Sequence, residues 1–150
     1  MKDAIIQILM GTLGTLAFNV LFHIRGRKLL LATLGGMISW TVFLVAKPVL
    51  TSETAGYFIS AAVITLYSEL LARLEKTPTT TFLVPSAVPL IPGSALYYTM
   101  NYALNRNWSA FAQQALYTLE LAGALAVGII SVTTLMRLIR TATARLNRKK

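Results

Sequence analysis

The sequence contains no cysteine and a single histidine, His23. The first absence excludes disulfides, thiolate nucleophiles and cysteine-based metal sites. The second leaves no imidazole pair from which a catalytic or metal centre could be assembled. His23 falls at the end of an apolar run, where an interfacial histidine is expected rather than a ligand. Acidic residues are scarce as well, five against fourteen Lys and Arg, for a net charge of +9. No H-E-x-x-H, G-x-S-x-G or G-x-x-x-x-G-K-[ST] stretch occurs. These absences argue against an enzyme, a bound cofactor and nucleotide-driven pumping within this chain.

What is present is apolar sequence. Of 150 residues, 55% are hydrophobic and 13% charged. A soluble domain of this size could not bury that much apolar surface, and lipid is the better solvent for it. Five runs approach the ~20 residues that a membrane helix needs: residues 4–22, 29–46, 55–74, 82–104 and 111–136. The expected fold is all-α, a polytopic membrane helical bundle of about five transmembrane helices. It forms one integral membrane domain over residues 1–150, without internal repeat. The first run is too long for a cleaved leader, lacks a small-residue cleavage site and is stopped by R-G-R-K.

The basic residues lie between and after the runs, as topology signals and lipid-headgroup contacts do, and not as a nucleic-acid surface. With five crossings, eleven of the fourteen fall on one side: three at residues 25–28, two at 73–76 and six in the tail from Arg137. Only Lys2, Lys47 and Arg106 fall on the other. The positive-inside rule then places the C-terminus in the cytoplasm of a bacterial inner (plasma) membrane and the N-terminus outside. The tail is expected to meet anionic lipids. Small residues one turn apart, Ala32 with Gly36 and Gly35 with Ser39, allow helix backbones to approach closely in lipid.

The fourth run carries P-S-A-V-P-L-I-P-G, residues 85–93. Each proline lacks an N–H and clashes with the carbonyl four residues back. Pro85, Pro89 and Pro92 would release the carbonyls of Thr81, Pro85 and Val88. Irregular backbone at membrane depth is tolerated only against protein or a water-lined cavity. The fourth segment is therefore expected to be broken, either crossing or re-entrant, and not to face lipid. Gly93 and Ser94 restart a helix whose free N–H groups could hold a carboxylate, with Ser94 as its cap. Tyr97, Tyr98 and Asn101 follow and could hydrogen-bond a small polar solute.

P-x-x-x-P-L-I-P-G followed by A-L-Y-Y resembles the proline-rich motif of the threonine/serine exporter family, and in particular the short, all-membrane subunit of its two-component members. The resemblance is most specific over Pro85 to Tyr98. It implies export of small amino acids or, as in some relatives, dicarboxylates. Fused members carry a further N-terminal portion with a soluble part and additional spans. The resemblance therefore implies a larger complementary membrane subunit as partner.

Two further groups are candidates for the pathway. Glu69 and Arg73 are one turn apart on the third run and share a face with Thr65, Ser68 and Ala72, while Leu66, Leu70 and Leu74 lie elsewhere. An intramembrane carboxylate is by default functional, but an interfacial salt bridge fits the spacing equally. On the fifth run Gln113, Tyr117, Glu120, Ala124, Gly128 and Ser131 follow helical steps on one stripe. Glu120 there is either a proton carrier or a helix-interface hydrogen-bonding group. Two functions are expected. One is a subunit of a proton-coupled secondary exporter, the cargo carboxylate at Gly93–Ser94 and its ammonium at Glu120 or Glu69. The other is an assembly subunit supporting a larger partner. Homo-oligomerisation is compatible with both.

Overall fold

The computed structural model describes residues 2–50 and 52–147, with side chains given through residue 142. Helices follow the apolar runs: α1 Lys2–Leu21, α2 Arg27–Val49, α3 Glu53–Leu74, α4 Thr80–Ala87, α5 Gly93–Leu104 and α6 Trp108–Asn147. A single 3-10 turn, Val88–Leu90, follows α4, and no strand occurs among the described residues. Four helices, α1, α2, α3 and α6, are long and apolar enough to cross a membrane. At a rise of about 1.5 Å per residue, α4 and α5 are each too short to cross alone. Together they occupy the fourth run.

Side-chain contacts fix how the helices run. Asn19 Nδ2 donates to Thr33 Oγ1 at 3.0 Å, and the α-carbon face of Gly36 meets Thr15, so α1 and α2 are antiparallel. Tyr67 Oη donates to the Leu31 carbonyl at 2.8 Å, while Phe43 meets Gly56, so α2 and α3 are antiparallel. α3 and α6 run in the same direction. Tyr117 Oη donates to Glu53 Oε2 at 2.7 Å near one end of the pair, and further along Gly128 abuts Phe58 and Ala61. Two parallel neighbours require the chain between them to return across the bundle. The fourth segment therefore crosses, interrupted, and the count is five.

The central helix is α3. Half of its membrane-length window is buried, against 11% for α1 and α6. Thr65, Ser68, Glu69 and Ala72 are buried, and Leu66, Leu70 and Leu74 point outward. The polar stripe read from sequence thus faces the bundle. The core joins Phe43, Tyr57, Ile64, Leu90, Ala95 and Leu121, with Trp40 and Tyr117 packed beside them. Large apolar side chains cover the outside along every helix, the surface a lipid-exposed bundle requires.

Three of the turns are alike. α1, α3 and α5 end with His23, Lys76 and Arg106 at positive φ of 59°, 49° and 55°. The next amides, of Ile24, Thr77 and Asn107, each bond a carbonyl five residues back at 3.0 Å. This is the Schellman closure, here with polar side chains where glycine is usual. α6 departs from expectation. It does not stop near residue 136 but continues helically into the basic tail over forty residues. Arg137 and Arg140 are exposed on that extension. Arg145, Arg148, Lys149 and Lys150, expected to meet anionic lipid, lie outside the described side chains.

The small residues of α2 carry its contacts. Ala32, Gly35, Gly36 and Ser39 are all buried. A Cβ at position 36 would overlap the Thr15 side chain, and one at 35 would overlap Ser86 Oγ. Thr15 is β-branched and its hydroxyl bonds the Gly11 carbonyl at 2.9 Å, so it cannot swing away freely. Gly36→Val is expected to lower the stability of the α1–α2 pair by about 1–3 kcal/mol, the usual scale of overpacking. Thermal unfolding of the purified chain in detergent measures it.

Candidate transport site

The prolines act as expected on the helix but not on the carbonyls. Pro85 is tolerated inside α4, whereas Pro89 and Pro92 end it. The backbone tightens into the 3-10 turn. The Val88 amide bonds the Pro85 carbonyl, and the Ile91 amide bonds the Val88 carbonyl at 3.2 Å. Two of the three carbonyls expected to be free are therefore satisfied locally. What remains open is the donor side. Pro92 occupies the N-cap position of α5 and makes no side-chain cap, and Ser94 does not cap it either. The first bond into the helix is from Leu96 N–H to the Pro92 carbonyl at 3.0 Å. The amides of Ser94 and Ala95 have no partner among the described residues.

The interrupted segment is buried on one side and bare on the other. Phe82, Pro85, Ser86, Leu90 and Pro92 are buried. α4 and its turn nest among α1, α2 and α3, and Pro89 lies 3.7 Å from where a Gly11 Cβ would be, close to Trp40. Gly11 and Trp40 are near the middles of their helices, so the break lies near mid-depth. α5 packs against α6. Its start is uncovered: Gly93 and Ser94 are exposed and nothing lies within 4 Å of a Cβ placed at 93. Tyr97 and Tyr98 are 65% and 50% exposed and meet edge to face. Asn101 is half-buried, its Oδ1 accepting from Asn105 Nδ2 at 3.0 Å.

A hydrogen bond of 3.0 Å between the Thr99 and Thr118 hydroxyls sets the α5–α6 register. In antiparallel helices it brings Glu120 level with Tyr97, about one turn from the start of α5. Glu120 is exposed on α6, as are Gln113 and Ser131. Gly128 is buried, and Tyr117 and Ala124 are half-buried. The stripe read from sequence is thus split between the α3 contact and the outer surface of the chain. Glu120 follows Tyr117, which reaches the first residue of α3, by three positions. It therefore lies nearer one end of the bundle than its middle.

Glu69 and Arg73 do not form the ion pair their spacing suggests. Among the described residues the ion pairs are Arg27 with Glu75 at 3.6 Å and Lys47 with Glu53 at 3.5 Å. Glu69 instead accepts from Thr79 Oγ1 at 3.2 Å. It lies at the end of α3 opposite Glu53, so the structure does not bring Glu69 and Glu120 into one site. The sequence reading missed Glu53, which joins α2, α3 and α6 through Lys47 and Tyr117. Its only sequence signal, an acid in the first turn of a helix, is accounted for by the helix dipole alone.

An apolar five-crossing bundle with one crossing broken at mid-depth, and polar groups beside the break, is the architecture of a multi-pass membrane transporter. The family model described as "Threonine/Serine exporter, ThrE" matches residues 7–135, all five crossings, and the chain belongs to that family. No curated protein and no solved structure matches it.

Proposed function

We propose that the chain is the short membrane subunit of a proton-coupled secondary exporter of small amino acids, threonine and serine foremost, in a bacterial inner membrane. It works with a larger complementary subunit, its N-terminus outside and its C-terminus cytoplasmic. The observation that carries this reading is the uncovered start of α5. The free, exposed Ser94 amide and the positive end of a helix dipole suit a carboxylate. Glu120, about one turn away along the register, offers the charge that an ammonium requires. The partner subunit closes this half-built site, since neither an intramembrane carboxylate nor bare amides are stable against acyl chains.

The test is efflux of threonine from vesicles loaded with it and containing both subunits. Glu120→Gln is expected to reduce efflux driven by an imposed proton gradient by roughly tenfold or more, because an amide cannot carry the proton. Unchanged gradient-driven efflux, with the complex intact by size-exclusion chromatography, removes Glu120 from the mechanism.

A second reading, an assembly subunit without a substrate site, draws on the same exposure of Gly93, Tyr97 and Tyr98, which would then be docking surface alone.

A further inference from the structure

A second cluster of polar groups lies far from the break, where the end of α3 and its turn meet α6. A cavity of about 360 Å³ is lined there by Glu69, Arg73, Lys76, Thr77, Thr79 and Arg140, with Ala72 and Pro78. Its size falls within the range of small-ligand sites. Three cations therefore share one cleft with one carboxylate. None of the three is ion-paired among the described residues, and the nearby Glu75 is engaged by Arg27. Glu69 is 8% exposed. Its Oε1 accepts from Thr79, and no group of the described residues donates to its Oε2. The Thr77 hydroxyl is buried without a hydrogen-bond partner.

Arg73 and Glu69 stand at ion-pairing spacing in one cavity and yet are not paired. Glu69 Oε2 is not among the buried side-chain atoms that lack a partner, so it opens toward the cleft, and Arg73, Lys76 and Arg140 are exposed around it, leaving both signs of charge free to meet a ligand. A simple anion would answer the cations and be repelled by Glu69. A simple cation would meet the opposite difficulty. A molecule carrying both charges on adjacent atoms answers both. We propose that this cleft is a loading site for a zwitterionic α-amino acid, its carboxylate among Arg73, Lys76 and Arg140 and its ammonium at Glu69 Oε2. The proposal rests on the exporter reading above. It adds a site at the end of the bundle opposite Glu53, on the side where most basic residues gather, from which cargo would enter before reaching the break.

Binding and transport measured on the same preparations separate the two ideas. The full-length chain, with its partner subunit, is placed in nanodiscs of phosphatidylcholine and probed with radiolabelled threonine. Competitors are threoninamide, which lacks the carboxylate, 3-hydroxybutyrate, which lacks the ammonium, and inorganic phosphate. Wild type is expected to prefer threonine over all three. Glu69→Gln, nearly isosteric, should weaken threonine roughly tenfold, the scale of one charge-assisted hydrogen bond, and leave 3-hydroxybutyrate unchanged. Arg140→Gln, at an exposed position, should weaken threonine and 3-hydroxybutyrate and spare threoninamide. In loaded vesicles both variants should raise the half-saturating internal threonine concentration more than they lower the maximal rate. Threonine affinity and half-saturation unchanged in both variants, with wild-type efflux intact, overturn the loading site and leave the exporter reading standing. Phosphate binding as tightly as threonine, or displacement of threonine by phosphatidylglycerol in the nanodisc, makes the cleft a general anion or headgroup site and also overturns it. Absence of amino-acid efflux by the wild-type complex overturns both.

Discussion

Gly128→Leu is expected to leave little folded protein. The α3–α6 seam is the most extensive helix contact in the bundle and gives α6 its position. A Cβ at position 128 would lie 2.7 Å from the Phe58 carbonyl oxygen and 2.8 Å from the Ala61 Cβ. The first is backbone and the second is one bond from it, so neither yields by a rotamer change. The helices would have to separate along the seam. That would also strain the Tyr117–Glu53 hydrogen bond toward the end of the same seam. Association of membrane helices depends on close packing rather than on expulsion of water, so a widened seam has no apolar gain to offset it. A loss of about 3 kcal/mol, at the upper end of overpacking costs, is expected. Gly123 supplies the control. It lies on the same helix with nothing within 4 Å of a Cβ, so Gly123→Leu should leave the isolated chain folded. Monodisperse yield and thermal midpoint in detergent distinguish the two. Equal behaviour of the variants would show that the seam does not limit stability.

The contrast between Gly128 and Glu120 shows how far the sequence could be read. Helical spacing placed both on one stripe, and the structure splits that stripe between the α3 contact and the outer surface. Periodicity assigns a face but not what lies opposite it. Gly128 meets α3, while Glu120 projects outward, where a second polypeptide has to be known before its role is fixed. The α3 stripe was legible because its outward leucines and inward small and polar residues alternate cleanly. The prolines announced the break, since their effect is local and covalent. The same local chemistry concealed the rescue of the carbonyls. Tightening into a 3-10 turn costs little, and no residue pattern marks it. That the interrupted fourth segment crosses rather than re-enters came from long-range contacts, the Tyr117–Glu53 bond above all, which single-sequence reasoning does not reach. The loading cleft was hidden for a related reason. Arg140 is separated from Glu69 by 71 positions, and only the parallel packing of α6 on α3, extended helically into the tail, brings it there.

Gly93→Leu should have no effect on the fold and a large effect on function. Position 93 has an ordinary backbone conformation, since Gly26 is the only described glycine at positive φ. A Cβ added there would point into open space, with nothing beyond its own helix and chain neighbours within 4 Å. Leucine would therefore introduce neither strain nor clash in the isolated subunit, and its thermal midpoint should match wild type. It would, however, place an isobutyl group beside the free amide of Ser94, where a cargo carboxylate or the partner subunit would approach. If the start of α5 binds cargo, complexes that still form should lose threonine efflux by roughly tenfold or more, the loss expected when a charge-assisted contact is blocked. If the exposed start only docks the partner, fewer complexes should form, but each should export at the wild-type rate. Rates normalised to the amount of intact complex, measured in loaded vesicles, separate these outcomes. A normal rate per complex would transfer the cargo site away from this chain's broken helix, because the start of α5 is where an exposed residue, Ser94, carries an unpartnered amide near mid-depth.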